Sequence, residues 1–289
     1  MRPRQLGFTL IELAIVMVVL TILAAGVLVP LTASIESKRY ESTQKILDES
    51  REAVIGFTMS SHICTCSYDG AGNRTSGSTC SISICPATGS INTSWSRHYL
   101  PCPDKTSAFG INDATHQPND GKEDRNGNVC EAQEGNLPWV DLGVGKADAW
   151  GNHLHYSVSA AFSDSTNGFT STTLGDKSVC NSASCTTIVA SQLPAVILSY
   201  GKNGKGAIHD DPLATPQVAP SSDDERENID MRTTADPTCC KPALSGTNDH
   251  FVSRAPSEAS ATTTEFDDLV IWLPGGVLLS RVCPSGGCP

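Results

Sequence analysis

Polar residues almost vanish from the first part of the chain. From Phe8 to Leu31 it reads FTLIELAIVMVVLTILAAGVLVPL, with Glu12 as the one ionisable side chain. At about 1.5 Å per residue this block makes a helix of about 36 Å, enough to cross a hydrocarbon layer of about 30 Å. Beyond it the pattern changes character rather than stopping. Ile35, Arg39 or Tyr40, Ile46 or Leu47, Val54 and Phe57 recur at helical spacing with charges between them. Glu41 with Lys45, and Asp48 with Arg51, are spaced to pair on an exposed face. The pattern predicts one helix from Phe8 to about Ser60: a transmembrane part over 8–31 and an amphipathic continuation over 32–60. A kink is expected at Pro30, which cannot donate to the carbonyl of Gly26. The apolar stripe of the second part requires a globular head to pack on.

After residue 60 the period shortens. Leu154, Tyr156 and Val158 alternate within residues 153–160 and predict a strand fed by a turn at Asp148-Ala149-Trp150-Gly151. Leu193–Tyr200 predicts a central strand, Phe266–Leu273 a last strand and Val277–Val282 a short closing segment. Gly201-Lys-Asn-Gly-Lys-Gly206 lacks the order of a phosphate loop and reads as a tight turn needing positive φ. Residues 61–100 and 160–192 are rich in Ser, Thr, Gly and Cys, and 208–264 are polar and acidic, which predicts loops and solvated surface. The fold class expected is α+β: a long N-terminal helix packed on a disulfide-rich, loop-rich antiparallel β head over 61–289.

Charge and cysteine usage sharpen this outline. The net charge is −11, with no basic stretch beyond the first seven residues, which argues against nucleic-acid or anionic-lipid binding by the head. Arg2 and Arg4 precede the apolar block, and the next basic residue is Lys38, so the N-terminus is expected in the cytoplasm and the head outside. All 12 cysteines lie after residue 63, as disulfides formed in an oxidising compartment require. Cys180 with Cys185, Cys283 with Cys288 and Cys80 with Cys85 can close local loops, and Cys102 with Cys130 can clasp an insert. Cys64, Cys66, Cys239 and Cys240 are left to cross-link among themselves. Spacing alone does not fix this connectivity.

Candidate chemistry is sparse. Asp124, Asn126 and Asn128 stand at alternate positions after Asp120, with Gly127 between the last two: half of a calcium-loop pattern. Val129 occupies the position where an EF-hand needs glycine, and Gly135 the position of its bidentate Glu, so an ordinary Asn-Gly-Asn turn reads equally from these residues. His153 and His155 could offer two metal ligands on one strand face, but no third is near in sequence, which favours packed or exposed rings. Ser222-Asp223-Asp224-Glu225, Glu227 and Asp230 read as a solvated run or a set of salt-bridge partners. Asp267 and Asp268, adjacent on a strand, are expected to point to opposite faces. Hydrolase signatures are absent, and no enzyme is expected.

The start of the chain resembles the signal of type IV pilins and type II secretion pseudopilins. The matching pieces are the basic leader Met1-Arg-Pro-Arg-Gln-Leu-Gly7, then Phe8, Glu12 and the unbroken apolar run. That resemblance implies cleavage by a prepilin peptidase between Gly7 and Phe8, leader 1–7 being removed, and N-methylation of Phe8. It further implies partners: other pilin or pseudopilin subunits and an inner-membrane assembly platform. Glu12 would pair with the amine of a neighbouring subunit, the alternative being a carboxyl that is protonated in lipid. Calcium bracing a head loop, through Asp120, Asp124, Asn126 and Asn128, is in keeping with the same resemblance. Tyr99-Leu-Pro-Cys-Pro-Asp104, Gly135-Asn-Leu-Pro-Trp139, Leu142-Gly143 and Asp148-Ala-Trp-Gly151, in that order, look like a group of large pilin-like proteins. The expected function is a minor pilin or pseudopilin of a filament. The alternative is a membrane-anchored adhesin that uses a pilin-type anchor and presents its disulfide loops.

Overall fold

The computed structural model describes residues 10–59, 62–66, 68–73, 93–105, 118–210, 220–229, 250–260 and 264–283, without the side chains of 22–33, 62–66 and 93–97. Helix α1 (Leu10–Met59) is one continuous element of 50 residues, about 75 Å long, and it runs on through Pro30. Along the chain then come β1 (His62–Cys66), β2 (Thr93–Arg97), β3 (Arg125–Asn126), β4 (Val129–Cys130), β5 (Glu134–Asn136) and α2 (Trp139–Leu142). After them follow β6 (His155–Val158), α3 (Ala160–Ser163), β7 (Lys177–Cys180), β8 (Ile188–Leu193) and β9 (Ala195–Ser199). The head closes with α4 (Asp223–Glu227), β10 (His250–Val252), β11 (Leu269–Leu273) and α5 (Gly275–Val282).

The main sheet has the order β11-β9-β6-β5, with every pairing antiparallel. Its centre, β9, is the Leu193–Tyr200 run expected to be central. All five of its residues are buried, and their alternation explains how. Ala195 and Ile197 face one core with Leu47, Val54 and Ile55 of α1, Tyr156 of β6 and Leu278 of α5. Val196 and Leu198 face a second core with Val179 of β7, Leu193 of β8 and Phe251 of β10. The head is therefore three layers deep: α1 and α5, then the main sheet, then the sheet β10-β7-β8.

The second sheet corrects two expectations. Residues 160–192, whose Ser/Thr content predicted a surface excursion, supply α3, β7 and most of β8, and bury Phe162, Phe169 and Val179. A few aromatic and branched residues in such a stretch are enough to hold it to a core, and composition averages them away. Pairing of β10 with β7 is parallel, so the head is not wholly antiparallel. The closing segment 277–282 belongs to a helix, because Leu278 and Val282, four apart, share one buried face.

The face by which α1 meets the head is narrower than its apolar pattern suggested. Ile35 stays 45% exposed, while Thr43, Leu47, Ser50, Val54, Ile55 and Thr58 are buried. Three of these are hydroxyl residues, small enough to let the helix lie close to the sheet. Ser50 Oγ donates to the Ile46 carbonyl at 2.8 Å and Thr58 Oγ1 to that of Val54 at 2.9 Å. Thr43 Oγ1 accepts from the Ala149 N–H at 3.2 Å, so none of these three hydroxyls is buried without a partner.

Two of the expected disulfides are present: Cys102–Cys130, with Cα atoms 5.2 Å apart, and Cys180–Cys185, at 5.0 Å. Cys283 is also disulfide-bonded. Cys64 and Cys66 lie on β1, which pairs with β2, and their side chains are not among those described. Cys80, Cys85, Cys239, Cys240 and Cys288 lie outside the described residues.

Leu47→Ala empties a fully buried position in the seam and should cost about 2–5 kcal/mol. Ile35→Ala, on the exposed side, should stay within about 0.5 kcal/mol. Thermal melts of the detergent-solubilised full chain check both.

Candidate functional site

Two parts of α1 behave in opposite ways. Its last half carries the buried seam; the apolar side chains of its first turns are exposed. Residues 10–21 are all exposed, their large apolar side chains from 88% at Leu10 to 48% at Val19, and ten of the twelve are apolar. Glu12 stands in the first turn of this bare segment. Thr21 donates its hydroxyl to the helix itself, to the carbonyls of Val18 at 2.8 Å and Met17 at 3.0 Å, and so asks nothing of its surroundings. An apolar surface of this length, all round a helix, requires a non-aqueous neighbour. Gly7 and Phe8 lie outside the described residues. Among the described residues no helix is long and apolar enough to cross a membrane, the described side chains of the apolar block ending at Thr21.

The second group of motif residues sits at the foot of the helix. Asp148 holds a turn through its own backbone, its Oδ1 accepting from the N–H groups of Trp150 and Asn152, each at 2.9 Å. Its Oδ2 accepts from Ser199 Oγ at 2.5 Å, tying the turn to β9. The turn then presents Ala149 to Thr43 and the Trp150 ring to Tyr40, edge-on with centroids 5.0 Å apart. Asp148-Ala-Trp-Gly151 is thus the cradle in which α1 rests.

Tyr99–Asp104 and Gly135–Trp139 build the layer beneath. Asp104 and Asn136 exchange backbone hydrogen bonds at 2.8 and 3.0 Å. A side chain at Gly135 would run into the Asp104 carbonyl, which explains the glycine. Tyr156 donates its hydroxyl to the Pro101 carbonyl at 3.2 Å. The Asp104 carboxylate accepts from the N–H groups of Asn119 at 2.8 Å and Gly121 at 2.9 Å. Burial nevertheless pushes its acid up to about 7, outweighing those donors, and the nearby Asp124 and Asp120 push the same way.

The candidate calcium residues lie beside this layer. Asp124 is buried, with Oδ2 accepting from the Lys105 N–H at 2.9 Å. Asn126 and Asn128 are exposed on the β3–β4 hairpin, where Gly127, at φ 65°, makes the turn. Asp120 turns its carboxylate to the N–H of Lys122 at 2.9 Å. Among the described residues, the two places where three His, Cys, Asp or Glu ligands gather are elsewhere. His153 and His155 are packed rings, against Trp139 at 4.8 Å and Tyr200 at 5.9 Å respectively.

One of those gathering places joins Glu225, Asp267 and Asp268. Glu225, expected in a solvated run or as a salt-bridge partner, is buried on α4, and Asn228 is buried just after it. Asp267 and Asp268 precede β11 rather than lying in it, so strand alternation does not separate them. Sequence spacing gave no sign of this meeting, since 42 residues separate Glu225 from Asp267.

Residues 2–28 match the family model described as the prokaryotic N-terminal methylation motif. The chain therefore carries the signal of type IV pilins and pseudopilins, one that goes with membrane-anchored export through the N-terminus. The match supports a pilin-like or pseudopilin subunit in general, and with it assembly with other pilin subunits and processing by a prepilin peptidase. No curated protein and no solved structure matches the chain.

Asp104 gives the head a pH dependence of definite sign. A carboxyl held neutral in the fold contributes stability that is complete below about pH 4 and lost as pH rises through about 7. The melting temperature of the wild type should therefore fall between pH 5 and pH 8 by more than that of Asp104→Asn; equal slopes would contradict the assignment.

Proposed function

We propose that this chain is a structural subunit, a minor pilin or pseudopilin, of a type IV pilus-like or type II secretion filament. The methylation motif at residues 2–28 carries this reading. The bare apolar surface over residues 10–21, continuous with a helix seated on a folded head, supports it. Prepilin peptidase cuts between Gly7 and Phe8, and Phe8 becomes the N-methylated first residue. Until assembly, the apolar half of α1 spans the inner membrane with the head in the periplasm. An inner-membrane platform then moves the subunit into a bundle of like helices, and the head forms the outer surface. The work done is assembly, without catalysis.

Glu12 has a physical role in this scheme. Cleavage creates a cationic amine four residues before it. In a helical bundle the amine of an incoming subunit reaches the Glu12 carboxylate of its neighbour. Pairing relieves two charges that an apolar core would otherwise leave unmatched, and it fixes the axial stagger of the subunits.

Gly7→Ala should abolish the shortening seen on electrophoresis when the chain is expressed with a prepilin peptidase. A wild-type chain that is not shortened would remove the pilin reading and leave an anchored adhesin. Glu12→Ala leaves a buried amine alone, at a cost of about 3–5 kcal/mol. Incorporation into filaments should drop by more than about a hundredfold; unchanged incorporation would eliminate the amine pairing.

A further inference from the structure

Three carboxylates meet where the turn after β9, helix α4 and the approach to β11 come together. Glu225 is 1% exposed, Asp268 4% and Asp267 9%, and one ligand oxygen from each lies within 4.8 Å of the others. Each carboxylate is oriented by an amide. Asn203 donates its backbone N–H to Asp267 Oδ2 at 2.7 Å and its side-chain Nδ2 to Glu225 Oε1 at 3.0 Å. Asn228 Nδ2 donates to Asp268 Oδ2 at 2.8 Å. Asn228 is itself held at both ends of its amide by the backbone of Val252, at 2.7 and 3.0 Å. The other oxygen of each acid, Glu225 Oε2, Asp267 Oδ1 and Asp268 Oδ1, is buried without a hydrogen-bond partner.

Buried polar oxygens without partners are rare, and three on mutually repelling carboxylates demand an explanation. Neighbouring cations do not supply one. Lys205 Nζ is engaged by Glu265, and Arg254 Nε by Asp224 at 2.7 Å. What remains is a set of oxygen ligands whose outer oxygens are already fixed by amide donors, the arrangement that holds ligating carboxylates around a metal. Its chemistry is hard, with neither sulfur nor imidazole in the group, which excludes a preference for soft metals. A carboxylate-rich, largely enclosed site suits calcium better than magnesium, which gives up its waters reluctantly.

We propose that Glu225, Asp267 and Asp268 bind a hard divalent cation of the calcium type, which fastens α4 and the second sheet to the end of the main sheet. This site does not depend on the filament reading.

The test uses the full chain in detergent, stripped with chelator and titrated with calcium chloride by calorimetry. Expected are one calcium per chain, a Kd of about 10⁻³ M or tighter, and a melting temperature that rises on calcium addition. Glu225→Gln and Asp268→Asn should each weaken calcium binding by about tenfold or more and remove the rise. Asp223→Asn, on an exposed side chain of the same helix, should keep both. Absence of binding in the wild type at millimolar calcium overturns the proposal, as does binding that Glu225→Gln and Asp268→Asn leave unchanged. Should these variants not fold, terbium luminescence locates the ion instead. Sensitisation that drops in Trp272→Phe places it beside β11, and sensitisation indifferent to that change overturns the assignment.

Discussion

Everything in this molecule depends on a narrow seam between one helix and one sheet. Thr43, Leu47, Ser50, Val54 and Thr58 recur at three- and four-residue steps and all fall below the head's surface. Small hydroxyl side chains in that row bring α1 close to β9 and β11, and each hydroxyl then finds a backbone group. A row of larger aliphatics would bury more apolar area but hold the helix farther off. The Asp148 turn, anchored to β9 through Ser199, meets the same row from the side. Helix position, turn and sheet thus specify one another.

The head solves the matching problem of burying polar groups. Asp104, Asp148 and Asn228 each tie a loop to a strand or to another turn through hydrogen bonds to backbone N–H groups. Short strands of two to six residues could not define the sheets alone. Buried side chains acting as backbone partners extend the ladder where the strands stop. Disulfides contribute in the same way, Cys102–Cys130 pinning the β3–β4 hairpin beside the Asp104 layer.

Much of this was legible in the sequence. The long helix, the central strand at Leu193–Tyr200, the β6 alternation and the glycine turn were all readable, because each is a local pattern with one dominant period or one conformational demand. The Cys102–Cys130 and Cys180–Cys185 bridges were readable from spacing, though only as options. The second sheet was hidden because Phe162, Phe169 and Val179 are thinly spread among Ser and Thr. Asp267 and Asp268 were misjudged for a different reason: the run Phe266–Leu273 was read as strand throughout, whereas β11 begins only at Leu269. Their meeting with Glu225 is a tertiary event that no local period encodes.

The continuity of α1 has a mechanical consequence. Load applied near Leu10 travels along a single hydrogen-bonded rod and reaches the head as shear, parallel to the seam. Under shear the contacts from Thr43 to Thr58 share the force and must fail together, whereas a pull at right angles would open them one by one. The Arg281–Glu52 pair and the Lys202–Glu36 pair, set apart along the rod, resist rotation about its axis. A molecule built this way can be pulled lengthwise without unzipping its head.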